Sequence, residues 1–217
     1  MTSHAHRGAK EPDYDSITFD DCVSEIIFPT KVWTAFPNEI NNDEIIEDCY
    51  VYREKLDSDG VQRSNVGGWQ SGVRNLTDAI FRHDLKYIYD IGCRAVKFTN
   101  ECSKDMGSLC VYDQESAHLW VNINSGNDYN VLHSHPKTDI IVVYYPIHEE
   151  DMGDLYLVRH DPSLFLDTFN GTSDQCHYEV QLETGLMVAF PAHFLHYVAP
   201  NKTGRDRISI SFNMCAV

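Results

Sequence analysis

A mainly β domain with flanking helices, its sheet closed or folded into a barrel-like double layer, is the fold class this sequence predicts. Three observations predict it. From Leu109 to Asn213, short runs rich in Val, Ile, Tyr and Phe recur between turn-forming residues at hairpin spacing. Two stretches ahead of them carry apolar residues at helical spacing. The last of the short runs has one apolar and one polar face, which directs chemistry-bearing side chains into the space that a folded sheet encloses.

Taken in order, residues 1–15 are polar, lack periodicity and contain Gly8 and Pro12, so they read as a loose tail with one domain following over residues 16–217. Ile17 to Phe36 alternates short apolar runs around Pro29, the pattern of one or two edge strands. Asn38 to Leu56 has early acidic residues and Ile40, Ile45, Ile46 and Tyr50 at helical spacing; Leu76 to Ile91 repeats the pattern with Ile80, Leu85 and Ile88. Between these helices Gly67 and Gly68 mark a loop whose Trp69 plugs the core. The expected strands are Leu109–Tyr112, His118–Asn124, Ile140–Tyr145, Asp154–Arg159, His177–Leu182, Leu186–Phe190, Phe194–Val198 and Arg207–Asn213. In the last, Ile208, Ile210 and Phe212 form the apolar face and Arg207, Ser209 and Ser211 the polar one. The turn signal Asn201-Lys202-Thr203-Gly204 predicts that Phe194–Val198 pairs antiparallel with Arg207–Asn213, bringing His196 beside Arg207 and Ser209.

Composition sets limits on function. A net charge of −16 and the absence of a Lys/Arg cluster argue against nucleic acid, and a cationic or neutral partner suits the surface better. The seven cysteines are irregularly spaced and never CxxC, so they read as reduced, mostly packed thiols. No apolar stretch has signal-peptide or membrane-spanning length, which predicts an intracellular, cytoplasmic protein without a membrane partner. A homodimer is the base-rate expectation for assembly.

Chemistry concentrates at His133-Ser134-His135. Alternate side chains of an extended strand share a face, so these two imidazoles form a bidentate metal clip. His196 supplies a third nitrogen and leaves part of the coordination sphere open, as a redox or Lewis-acid metal needs. Arg207 and a hydroxyl beside it make a pocket for a carboxylate reaching from that metal. The His4/His6 pair sits in the polar start, without a strand pattern, and reads as tail.

The stretch from His133-Ser134-His135-Pro136 to Val143-Tyr144-Tyr145-Pro146, then Gly153-Asp154-Leu155, Gly185 to Pro191 with His196, and Arg207-Ile208-Ser209, resembles the iron(II)/2-oxoglutarate-dependent oxygenases, especially their prolyl-hydroxylase-like branch. Ile27 to Thr30 and Gly68 to Ser71 are similar to a group of bacterial and phage oxygenases of this type. The resemblance implies a double-stranded β-helix (jelly-roll, cupin-like), Fe(II) held by His133 and His196, and 2-oxoglutarate as cosubstrate with its far carboxylate on Arg207, Ser209 and Tyr145. Asn122 and Asn124 share a face and line the same pocket; ascorbate is the accompanying reductant. The implied reaction hydroxylates a small molecule or peptide with O2 and releases succinate and CO2. The family mostly has HxD where this chain has His135, which leaves the site more positive and softer; Asp139 is the nearby carboxylate that stands in for it if His135 does not ligate.

Gly126, His133, His135, Asp139, Gly185, Pro191 and His196 also resemble the two cupin motifs. That resemblance implies a three-histidine dioxygenase, lyase or isomerase that does not use 2-oxoglutarate. A third alternative keeps the fold as a catalytically degenerate binding module.

Overall fold

The computed structural model describes residues 30–158 and 177–217, and residues 31–217 fall within one compact unit. The tail at 1–15, the strand signals before Thr30, Arg159, Cys22 and Cys176 lie outside the described residues. The first element is β1 (Trp33–Ala35), followed by α1 (Asn42–Val51), whose last turn widens into a π-helical turn at Tyr52–Leu56. Three two-residue strands come next: β2 (Asn65–Val66), β3 (Trp69–Gln70) and β4 (Arg74–Asn75). Where one helix is predicted from Leu76, there are two, α2 (Ala79–His83) and α3 (Lys86–Asp105), broken at Asp84 and Leu85. The buried Asp48 carboxylate on α1 accepts the backbone N–H groups of Tyr87 (2.8 Å) and Ile88 (3.2 Å), satisfying donors that the first turn of α3 leaves open.

Eight strands complete the chain: β5 (Ala117–Asn124), β6 (Tyr129–His133), β7 (Ile140–Ile147), β8 (Leu155–Val158), β9 (His177–Val180), β10 (Leu186–Pro191), β11 (Leu195–Val198) and β12 (Arg207–Met214). They alternate between two antiparallel sheets. A seven-stranded sheet runs β1-β10-β7-β12-β5-β3, with β4 also on β5, and a five-stranded sheet runs β2-β6-β11-β8-β9. Strands consecutive in sequence lie mostly in opposite sheets, which is the winding of a double-stranded β-helix.

Two apolar layers follow from strand parity. Leu119, Val121, Ile123, Val142, Tyr144, Ile208, Ile210 and Phe212 face α1 and α3 in one core, while Ile141, Val143, Tyr145, Leu155, Leu157, Val188 and Phe190 pack between the sheets. Burying Ile208, Ile210 and Phe212 contributes about 1.5–3 kcal/mol for each side chain and fixes β12 with its polar face inward. Tyr144 is core, donating to Asn42 Oδ1 at 2.6 Å. Trp69 is half-buried, its ring edge against Tyr52 and its Nε1–H donated to the Asp57 carbonyl at 2.9 Å.

Two expectations are corrected. Leu109–Tyr112 is not a strand: Leu109 is 97% exposed, and the Asn100 side chain holds both backbone groups of Tyr112 in an irregular path. Nor do β11 and β12 pair. β11 lies between β6 and β8 in the smaller sheet, and β12 between β5 and β7 in the larger. The connection between them crosses from sheet to sheet because the buried Asn201 is pinned on the far side. Its Nδ2 donates to Asn124 O (2.9 Å) and Arg205 O (2.7 Å), and its Oδ1 accepts from Thr203 N (2.9 Å) and Oγ1 (2.7 Å). No helix among the described residues is long and apolar enough to cross a membrane.

Candidate metal centre

β6 and β11 are neighbours in the smaller sheet, with His133 directly opposite His196, their ring centroids 4.2 Å apart. His135 lies two residues beyond the end of β6, in the loop rather than on the strand, and still returns its ring to 5.1 Å from His133 and 5.0 Å from His196. One ligand-capable atom of each imidazole lies within 4.8 Å of the others.

The tautomers follow from the partners. His133 Nδ1 meets Val131 O at 2.7 Å, His135 Nδ1 meets Asn213 Oδ1 at 2.7 Å, and His196 Nδ1 meets Phe194 O at 3.0 Å. A carbonyl oxygen can only accept, so each Nδ1 carries the proton and each Nε2 keeps its lone pair for a metal. The buried His135 Nε2 has no hydrogen-bond partner among the described residues. Trp120 stacks on His135 (5.3 Å between centroids, 30°) and Phe190 sets its edge against His196 (5.1 Å), fixing both rings.

Burial lowers the basicity of all three. It pushes His135 down to about 4 and His196 to about 3, with the neighbouring imidazoles adding to the shift, and depresses His133 in the same direction. The centre is therefore neutral at pH 7 and ready to ligate. Titrating metal into the protein at pH 7 should give equal calorimetric heats in buffers of different ionisation enthalpy; a buffer-dependent heat showing proton release from the imidazoles would contradict the assignment. Stability has the opposite sign to a stabilised imidazolium. Below the ordinary imidazole value the unfolded chain binds more protons than the folded one, so the metal-free protein loses stability as pH falls from about 6.5 towards 3.

Below the imidazoles a narrow slot of about 40 Å³ is lined by Asn122, Tyr145, Ser209 and Ser211 among others. Asn122 stands opposite Ser209 across β5 and β12 and donates to its Oγ at 3.3 Å. Asn124, opposite Arg207, is buried, and its Nδ2 has no hydrogen-bond partner among the described residues. Arg207 is 2% exposed. Its Nη1 donates to the carbonyls of Met152, Gly153 (3.1 Å) and Ala199 (3.0 Å), while Nη2 is buried and has no hydrogen-bond partner among the described residues. Among the described residues no carboxylate pairs with it, although Tyr145, Asp128 and Asp154 act on its charge and burial disfavours it. A buried cation with one unused N–H edge fits an anionic ligand better than water.

Asp139 is not in this group. It is exposed and its Oδ2 accepts the Ala216 N–H at 2.7 Å, committed to the C-terminal end of β12. Sequence reasoning passed over Asn213 and Trp120 as site residues. Both were detectable by parity, Asn213 with Arg207, Ser209 and Ser211, and Trp120 with Asn122 and Asn124.

Fold and site together define a double-stranded β-helix protein with a polar core and three convergent imidazoles. Residues 118–213, which contain every site residue above, match the family described as "Putative 2OG-Fe(II) oxygenase". Over this segment, which is a little under half of the chain, the sequence is similar to the Fe(II)/2-oxoglutarate-dependent oxygenases. A prolyl-4-hydroxylase from Pseudomonas putida is similar in structure with a TM-score of 0.60 at 12% identity, covering 86% of this chain and 92% of that one. HygX from Streptomyces hygroscopicus, solved with nickel and 2-oxoglutarate bound, has a TM-score of 0.53 at 12% identity over 85% of this chain and 83% of its own. A Trichoplax adhaerens prolyl hydroxylase, solved in complex with a hypoxia inducible factor peptide fragment, has a TM-score of 0.51 at 12% identity over 85% and 83%. At these identities the likeness is one of fold. No curated protein matches the chain.

Proposed function

We propose that the chain is a hydroxylase in which His133, His135 and His196 hold Fe(II) through Nε2 and the slot beneath them receives 2-oxoglutarate. The observation carrying this reading is the bonding of all three Nδ1 atoms to carbonyl oxygens, which leaves three Nε2 lone pairs free in a cluster whose ligand-capable atoms lie within 4.8 Å of one another. When bound, iron and 2-oxoglutarate would supply the oxidising power, with O2 consumed and succinate and CO2 released. The protein's part is to position. Arg207 Nη2 takes the far carboxylate of the cosubstrate, with the hydroxyls of Ser209 and Tyr145 beside it and Asn122 orienting Ser209. Burial raises the Tyr145 hydroxyl far above its ordinary value, so it stays protonated and serves as a donor. The apolar walls from Ile141, Val143 and Leu155 keep water away from the slot.

Succinate release from 2-oxoglutarate under Fe(II), O2 and ascorbate tests the reading; no release above a metal-free control at saturating 2-oxoglutarate would refute it. One second reading has observations in its favour. Three neutral imidazoles and a slot of only about 40 Å³ suit a cupin-type metalloenzyme that uses no 2-oxoglutarate. Metal-dependent oxygen consumption that is indifferent to 2-oxoglutarate would select it.

A further inference from the structure

Outside the imidazoles lies a wider cavity of about 540 Å³, bordered by His133 and His135 and reaching to Arg63, Gln70 and Val73. Its lining contains one arginine and no Asp or Glu, in a chain with 33 acidic residues against 17 Lys and Arg. The contrast with a cavity of about 730 Å³ near β8 and β9 is sharp: that one is walled by Glu149, Glu150, Asp151, Asp154, Glu179 and Glu183, with Lys202 beside them. Acidic residues are thus kept from the mouth of the metal centre alone among these two cavities. Arg63 is exposed there, and among the described residues its guanidinium makes no ion pair.

Gln70 is the second observation. It stands opposite Asn122 across β3 and β5, so its side chain points to the same inner face. It is 4% exposed, lines the cavity, and its Oε1 has no hydrogen-bond partner among the described residues. The backbone around it is held in place, since Gln70 O accepts the Val61 N–H (2.7 Å) and the next residue, Ser71, donates its N–H to Val121 O (2.9 Å). A fixed, buried acceptor without a donor is costly unless a ligand supplies one. Trp120, Val73 and Val131 add apolar surface to the same lining.

We propose that this cavity binds the primary substrate as an anion, with Arg63 holding its carboxylate and Gln70 Oε1 accepting from an N–H or O–H near the carbon presented to the metal centre. The inference rests on the reading of His133, His135 and His196 as that centre. It reverses what net charge alone predicts, because surface charge is solvated whereas a substrate meets only the cavity lining.

The test is ligand-observed NMR on the full chain without added metal, using N-acetyl-L-leucine, its methyl ester and its N-methylated form as probes. N-acetyl-L-leucine should bind about tenfold more tightly than the ester, the size of one charge-assisted contact, and Arg63→Ala should remove that preference. Gln70→Leu should weaken N-acetyl-L-leucine several-fold and leave the N-methylated form unchanged. Equal binding of acid and ester to the unaltered protein, a preference that survives Arg63→Ala, or no binding of any probe would each overturn the proposal. Arg63 is at the surface, so its variant carries the test even if Gln70→Leu fails to fold. Succinate is not read here. Selective binding together with failed 2-oxoglutarate turnover would count against the oxygenase reading alone, and the reverse against the pocket alone.

Discussion

Changing His196 to alanine should abolish metal binding at the concentrations that saturate the unaltered protein, with affinity reduced on the order of a thousandfold or more. The estimate follows from its place in the site. His196 is the most buried of the three imidazoles and sits directly across from His133, so its Nε2 is fixed before any metal arrives. Removing it leaves two donors of which one, His135, is on a loop. Asn213→Ala provides the graded comparison, since it deletes only the carbonyl that orients His135, and loss of such an outer partner costs about 10–100-fold. Metal should also raise the melting temperature of the unaltered protein and not that of His196→Ala, because a ligand stabilises only the state that binds it. Calorimetry with Mn(II) or Ni(II) reads both effects. Undiminished affinity in His196→Ala would remove the metal centre from the fold, and a larger loss in Asn213→Ala than in His196→Ala would show that the wrong nitrogen has been assigned to the metal.

How much of this was legible in the sequence depends on the range over which each signal acts. Strand parity is local, so the inward polar face of β12 and the pairing of Asn122 with Asn124 could be read from alternation alone. Convergence of His133 with His196 could be anticipated from the metal-ligand pattern and from the resemblance rather than from the strands themselves, since nothing in a strand's own residues says which strand lies beside it. The failed pairing of β11 with β12 shows the limit. Asn201-Lys202-Thr203-Gly204 has the composition of a hairpin turn, but the contacts that make it a crossover come from Asn124, Asp128 and Asp151, more than forty residues away in the chain. Arg207 and His196 therefore belong to different sheets and are not strand neighbours. The Leu109–Tyr112 error is similar: β-type residues were present, yet Asn100 on α3 had already taken the backbone groups that a sheet would need.

Arg207→Lys is the variant that separates holding the fold from holding the cosubstrate. The guanidinium divides its work between two nitrogens. Nη1 satisfies three carbonyls, those of Met152, Gly153 and Ala199, and thereby ties β12 to the loops that enter β8 and leave β11. Nη2 is spare. A lysine ammonium presents a single point charge that can replace Nη1 at those carbonyls but offers no second, rigidly placed N–H. Folding should therefore survive with a modest drop in melting temperature, whereas the KM for 2-oxoglutarate should rise about 10–100-fold, the range for losing one charge-assisted hydrogen bond to an anion in a buried site. Metal affinity without 2-oxoglutarate should be unchanged, because no imidazole touches the guanidinium. Arg207→Leu should behave differently, losing about 3–5 kcal/mol of stability as one buried and two part-buried carbonyls are left without a donor. If Arg207→Lys keeps both its stability and its KM, the spare edge is not where the cosubstrate binds. If it unfolds like Arg207→Leu, the arginine is a structural strut and 2-oxoglutarate has lost its anchor.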